Sequence, residues 1–198
     1  MKTFKTILFA FVLSFAAISV NAQVSDDIQI NATFSSAIDL TVTSGSSIDF
    51  NVSSLKEYTN GLADASAYNA DFEVNSSVDF KVDLTSTAFS DGSGNTINAG
   101  NFGYTIADNG TYAVGTNHKL LGGTSSPSAY AILGSDEEIV TSSDDGNAGS
   151  AAANAFTLKF ELGTSDVRAV SGLSNLLDQN IAPAKYSSVV TLTASAMP

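Results

Sequence analysis

The chain has 198 residues, 43% of them hydrophobic, with twenty acidic against eight basic side chains for a formal net charge of −12. That balance excludes a nucleic acid or an anionic membrane surface as a partner held by charge, since both are repelled by it. With no cysteine and a single histidine, the chain has neither a disulfide framework nor the usual ligand set for zinc.

The N-terminus carries an address. Lys2 and Lys5 precede an apolar run from Ile7 to Val20, and Val20-Asn21-Ala22 ends in a small residue before Gln23. This is the layout of a secretory signal peptide cleaved after Ala22, and the run is shorter than the roughly 20 residues a membrane span needs. The expected organisation is a signal peptide over 1–22 and a single secreted domain over 23–198, in an extracellular, cell-surface or periplasmic location. Past the signal, only Lys56, Lys81, Lys119, Lys159, Arg168 and Lys185 stand against all twenty acidic residues. An exported domain without cysteine must rely on core burial and β ladders, a composition that leans toward a bacterial source. Sequons at Asn31, Asn51, Asn75 and Asn109 matter only in a eukaryotic one.

Strand periodicity begins at once. Ile28, Ile30, Ala32 and Phe34 alternate with polar residues, as do Ile38, Leu40 and Val42, and then Ile48, Phe50 and Val52. Leu55 to Tyr68 follows neither period and is expected to be a loop with a helical turn. Phe72 and Val74 face inward in the next strand, followed through Asn75-Ser76-Ser77 by Val78, Phe80, Val82 and Leu84, a pair that reads as a hairpin. Phe102, Tyr104 and Ile106 alternate before Asp108-Asn109-Gly110, a hairpin signal ahead of Thr111 to Val114. Gly115 to Ala153 loses the rhythm, and only Tyr130–Leu133 and Glu138–Thr141 read as short strands, expected to pair with each other or to form a surface flap. Alternation returns at Phe156, Leu158, Phe160 and Leu162. Val170, Leu173, Leu176 and Leu177 are spaced as a helical plug over one end of the core. Tyr186, Val190, Leu192 and Ala194 share a face of the last strand. The fold class is therefore all-β: an antiparallel, Ig-like or fimbrial-like β-sandwich with a long irregular insertion and a short helical turn.

The opening Ile28–Phe34 strand, Tyr58-Thr-Asn-Gly61, Phe72-Glu-Val-Asn-Ser-Ser77 and the closing Pro183-Ala-Lys-Tyr-Ser-Ser-Val-Val-Thr-Leu-Thr-Ala194 resemble small secreted β-sandwich proteins of Bacteroidota. At fold level they resemble fimbrial and spore-coat-U-like surface subunits. The resemblance implies an exported structural protein with no catalytic residues to carry over. The absence of cysteine departs from the coat-like pattern.

No motif carries catalytic chemistry. His118 lies between polar Asn117 and Lys119 and reads as an exposed loop residue, with no Gly-x-Ser-x-Gly elbow elsewhere to suggest a triad. Asp136, Glu137, Glu138, Asp144 and Asp145 cluster in the irregular region, but a glycosidase needs two carboxyl groups at a defined gap, which clustering does not supply. Asp91-Gly92-Ser93-Gly94-Asn95 begins like a calcium loop yet has Thr96 and Phe102 where an EF-hand needs glycine and glutamate. Asp144-Asp145-Gly146-Asn147 is the other calcium candidate. Tyr58, Tyr68, Tyr112 and Tyr130 are candidates for a sugar-binding face, whereas Tyr104 and Tyr186 are on inward registers. These readings give no catalytic, cofactor or metal residues. The expected function is a non-catalytic structural or adhesive protein whose partner is a second copy or another surface protein, through edge strands near the termini. The alternative is a carbohydrate- or ligand-binding module, assisted by calcium.

Overall fold

The computed structural model describes residues 29, 31–63, 66–121, 131–134 and 136–198. Eleven strands are assigned among them: β1 (Ile38–Ser44), β2 (Asn69–Ser76), β3 (Phe80–Ser86), β4 (Phe89–Ser90), β5 (Thr96–Ile97), β6 (Phe102–Asp108), β7 (His118–Leu120), β8 (Ala131–Ile132), β9 (Glu137–Ser142), β10 (Ala155–Leu162) and β11 (Val190–Ala196). Two short helices accompany them, α1 (Leu55–Asn60) and α2 (Ser165–Ser171). One sheet runs β1-β2-β10-β6-β8, a second runs β11-β3-β9-β7, and β4 and β5 form a separate pair. Every strand pairing is antiparallel, in agreement with the all-β reading.

The two main sheets contribute to one apolar core, because alternation turns the same side of each strand inward. In the first sheet Phe72 lies opposite Phe156 and Leu158 opposite Ile106, and the Phe72 and Phe156 rings stack at 5.1 Å. In the second, Leu192 faces Leu84 and Ala194 faces Val82. Phe72, Val74, Phe80, Val82, Leu84, Tyr104, Ile106 and Leu158 are all buried, each of the large ones stabilising the fold by about 1.5–3 kcal/mol on transfer from water. A bulge in β9, where Val82 pairs with Val140 but Asp83 with Glu138, leaves Ile139 without a partner in β3 and lets consecutive Ile139 and Val140 both point inward.

Helix α1 starts with a capping box. Ser54 Oγ accepts from the Glu57 amide at 3.3 Å and the Glu57 carboxylate accepts from the Ser54 amide at 2.8 Å. Helix α2 is capped by Thr164, and Arg168 ties the two helices by donating to the carbonyls of Thr59 at 3.0 Å and Gly163 at 2.6 Å. The expected plug is partly realised: Leu176 is buried and Leu173 half-buried, but Val170 and Leu177 are about half exposed, and the helix residue that is buried is Val167.

Several sequence expectations are corrected. Asn75-Ser76-Ser77 is no hairpin but carries the chain from one sheet to the other, since β2 and β3 belong to different sheets. Asp108-Asn109-Gly110 also makes no hairpin: the Gly110 amide donates to Asp108 Oδ1 at 2.9 Å, and the amides of Thr111 and Tyr112 go to Ala152 and Ala153. Within Gly115–Ala153 the two expected short strands form, as β8 and β9, and β7 joins them, but they do not pair with each other: β8 joins β6, whereas β9 joins β3 and β7. Ile48, Phe50 and Val52 belong to no strand. The expected first strand is not formed over its described part, where Gln29 and Asn31 to Phe34 are exposed; Ile28, Ile30 and the signal segment lie outside the described residues.

The chain divides into two units, 1–34 and 35–198, with both main sheets in the second. No helix among the described residues is long and apolar enough to cross a membrane.

Candidate functional site

Strands β1 and β11 are edge strands of different sheets and approach each other. Beside them opens a cavity of about 1010 Å³ whose lining includes Leu40, Phe50, Tyr58, Phe160, Val190 and Leu192. These side chains are inward by register, yet most are only half-buried. The reason lies in the segment after Gly45. Ile48, Phe50 and Val52 point in while Asp49, Asn51 and Ser53 point out, the burial pattern of a strand. However, no backbone hydrogen bond joins residues 46–52 to any described residue. Phe50 is held by its ring, which stacks on Tyr68 at 4.3 Å and meets Phe102 edge-on at 5.9 Å. Across the cavity lining, Lys185 Nζ lies 3.5 Å from Asp49 Oδ1. Both side chains are well exposed, so the pair contributes about 0–1 kcal/mol and is no firm closure.

A segment whose backbone donors and acceptors have no partner among the described residues, next to a half-covered apolar floor, has one ready chemistry, acceptance of another strand. The chain itself contains an alternating apolar segment, Ile28-Gln-Ile-Asn-Ala-Thr-Phe34, whose Phe34 is 93% exposed.

His118 is corrected from an exposed loop residue to a buried one: in β7, His118 and Leu120 alternate inward around Lys119, and His118 is 0% exposed. Its Nε2 lies 3.8 Å from Asp108 Oδ2, and its ring sits edge-on to Phe156 at 5.1 Å and tilted to Tyr112 at 5.9 Å. Neither ring nitrogen nor Asp108 Oδ2 has a hydrogen-bond partner. Burial lowers the His118 pKa, opposed by the Asp108 charge and by the nearby Ala153 carbonyl, although no hydrogen bond of ordinary geometry reaches the ring from it. Burial likewise raises that of Asp108, opposed by the Gly110 amide and His118.

Of the calcium candidates, Asp91 and Asn147 have their side-chain oxygens engaged by protein donors. Asp91 Oδ1 accepts from the amides of Ser93 at 2.8 Å and Asn95 at 3.0 Å, while Oδ2 accepts from Asn95 Nδ2 at 2.6 Å. Asn147 is buried and bonded to the backbone of Phe80. Among the described residues no three His, Cys, Asp or Glu side chains converge to hold a metal ion. The tyrosines are dispersed in role. Tyr58 packs on the core, Tyr68 on Phe50, and the Tyr112 hydroxyl donates to the Ala148 carbonyl at 2.9 Å. Tyr104 is buried as expected, and burial together with the Glu137 charge raises its pKa; Tyr130 lies outside the described residues.

A polar recess of about 460 Å³ adjoins the larger cavity, sharing Ile97, Ile181, Ala182 and Tyr186 with its lining, and lies between the Gly94–Asn98 and Gln179–Ala182 segments. Behind it Asn101 and Gln179 exchange amide hydrogen bonds of 2.8 and 2.7 Å. No family model matches the chain, and no curated protein matches it in sequence.

Proposed function

We propose that the protein is a non-catalytic, exported structural or adhesive subunit, of the fimbrial-like kind its sequence resembles, that self-associates by strand addition. The residue 23–34 segment of one copy enters the open cavity of the next, pairs with the free backbone of residues 46–52, and places Ile28, Ile30, Ala32 and Phe34 against the apolar floor. The observation that carries this reading is the alternating burial of residues 46–52 with no backbone partner beside that floor. Each large side chain so inserted gains about 1.5–3 kcal/mol, and the new ladder hydrogen bonds add to this against the cost of ordering the strand. The test is light scattering with negative-stain microscopy on residues 23–198, intact and lacking 24–34. Oligomers or filaments that vanish on deletion support the reading; a deletion variant that assembles normally removes it.

The second reading is a carbohydrate-binding module, favoured by the amide-lined recess beside Tyr186, since amides and an aromatic ring are the groups that bind neutral sugars. Glycan-array binding sensitive to Asn180→Ala supports this alternative, and its loss on chelation would give calcium a part. Silence across a broad array counts against it.

A further inference from the structure

The buried Asp108–His118 pair is not used by the strand-addition reading and lies away from the residues lining the groove. It sits where two loops are fastened to the sheets. The loop after β6 runs from Asn109 to Asn117, and the loop after β9 from Ser143 to Asn154. They are laced together by Asn117 Nδ2 donating to the Gly146 carbonyl at 3.0 Å, the Ser143 amide to Asn117 at 3.0 Å, the Asp145 amide to Thr116 at 3.2 Å, and Tyr112 to Ala148. Under this lacing His118 packs on Phe156 and faces Asp108, with the buried Asn154 Oδ1 also lacking a partner.

We propose that Asp108 and His118 form an acid-released clasp that holds residues 109–121 and 143–154 closed over this end of the core at neutral pH and lets them open together as the medium acidifies. Asp108 is the one charged group bearing on the ring. Tyr112 is the other titratable side chain against it, and from β10 and β9 the neighbours are uncharged: Phe156, and Thr141 and Ser142 along the β7 ladder. A proton on His118 in the closed state would be a buried cation facing a carboxylate at 3.8 Å and the nearby Ala153 carbonyl, with no hydrogen bond of ordinary geometry to either. In the open state the imidazole is hydrated and takes the proton near its ordinary value of about 6.5. Opening is thus coupled to uptake of one proton, and below that value the opening equilibrium rises about tenfold per pH unit. Asp108 acts in the opposite sense, because the closed state retains its proton up to a higher pH than the open state does, so it flattens the response at the acid end. Opening frees β7 from β9 and uncovers the β9 edge, which gives the device its consequence for surface contacts.

The chain has a single histidine, so its imidazole resonance is read without assignment. The experiment follows that resonance by NMR, and hydrogen exchange of residues 109–121 and 143–154, in the mature protein from pH 7.5 to 5.0. Expected is a neutral imidazole at pH 7, and an opening constant in both segments, corrected for intrinsic exchange, that rises about tenfold per unit below about pH 6.5. The rise should disappear in His118→Phe and steepen in Asp108→Asn. An imidazole that titrates near 6.5 with protection unchanged overturns the proposal, as does an unaltered pH response in His118→Phe. Should that variant fail to fold, the wild-type resonance and exchange decide the question alone.

Discussion

Asn147 and Phe80 hold each other by two hydrogen bonds of 2.9 Å, the Phe80 amide donating to Asn147 Oδ1 and Asn147 Nδ2 donating to the Phe80 carbonyl. A side-chain amide thus replaces a strand partner at the first residue of β3. The neighbouring Asp79 carboxylate completes the clip by accepting from the amides of Asn147 at 2.9 Å and Ala148 at 3.0 Å. Both Asn147 and Phe80 are fully buried, so Asn147→Ala leaves a donor and an acceptor without water or partner. At about 1–3 kcal/mol for each orphaned group, the expected loss is roughly 2–6 kcal/mol in urea unfolding. A loss below about 0.5 kcal/mol would mean that the clip is redundant.

Gly61 ends α1 at φ 78° and ψ −171°, a conformation essentially closed to other residues, and a Cβ there would lie 2.3 Å from the Leu162 carbonyl oxygen. That carbonyl accepts from the Leu62 amide at 2.8 Å, so it cannot retreat without breaking the bridge between Leu62 and Leu162. Gly61→Ala is expected to cost at least about 3 kcal/mol. The control is Gly92→Ala, at φ 74° but with open space around it, where only the backbone term of about 1 kcal/mol applies. Equal losses in the two variants would show that the close approach contributes nothing.

The long strands were legible because their periodicity and their ladders coincide. Phe72 and Val74, Phe80 to Leu84, Tyr104 and Ile106, and Phe156 to Leu162 are inward in the structure as their alternation requires. Ile48, Phe50 and Val52 are the instructive failure. Their alternation reports which side chains turn inward, but alternation carries no information about a hydrogen-bonding partner, and this segment has none among the described residues. His118 was misread for a related reason. A three-residue strand gives one period of alternation, His118 and Leu120 about Lys119, too short to stand out between Gly115 and the Gly122-Gly123 pair. Nor does local composition reveal that Asn147, inside a string of turn residues, is the partner of a strand 67 positions earlier.

On the outer face of the first sheet, Asp71 accepts hydrogen bonds from Thr157 and, at 2.7 Å, from Ser44, which the bulge after Val42 brings opposite it. These bonds, Thr157 first and Ser44 second, lower its pKa. A carboxylate with a depressed folded value adds stability that is present above its unfolded value, about 3.9, and is lost as pH falls through the folded value. Thr157→Val should therefore flatten the fall of the urea midpoint between about pH 4 and pH 2, while leaving the pH 5–8 region unchanged in slope. The effect is small, because Asp71 is only partly buried. An unchanged acid limb would assign the stabilisation of the carboxylate to Ser44 alone.

The groove makes its own thermodynamic prediction, independent of whether assembly proceeds to filaments. If residues 46–52 and the floor under Phe50 and Leu192 accept a strand, a synthetic peptide of residues 23–34 added to protein lacking 24–34 must bind the folded state in preference to the unfolded one. Binding of that kind raises stability by RT ln(1 + [L]/Kd), about 2.7 kcal/mol at a hundredfold excess over Kd, so Tm should climb with peptide concentration. Specificity lies in the face that alternation turns inward. Replacing Ile30 by Asp would place a charge over an apolar floor and should abolish the shift, whereas replacing Asn31, which alternation turns outward, by Asp should leave most of it. A Tm that does not move with the native peptide, on a receptor that melts cooperatively, removes strand addition and leaves the cavity to a different occupant. Equal shifts from the native and Ile30→Asp peptides would instead place binding outside the apolar floor.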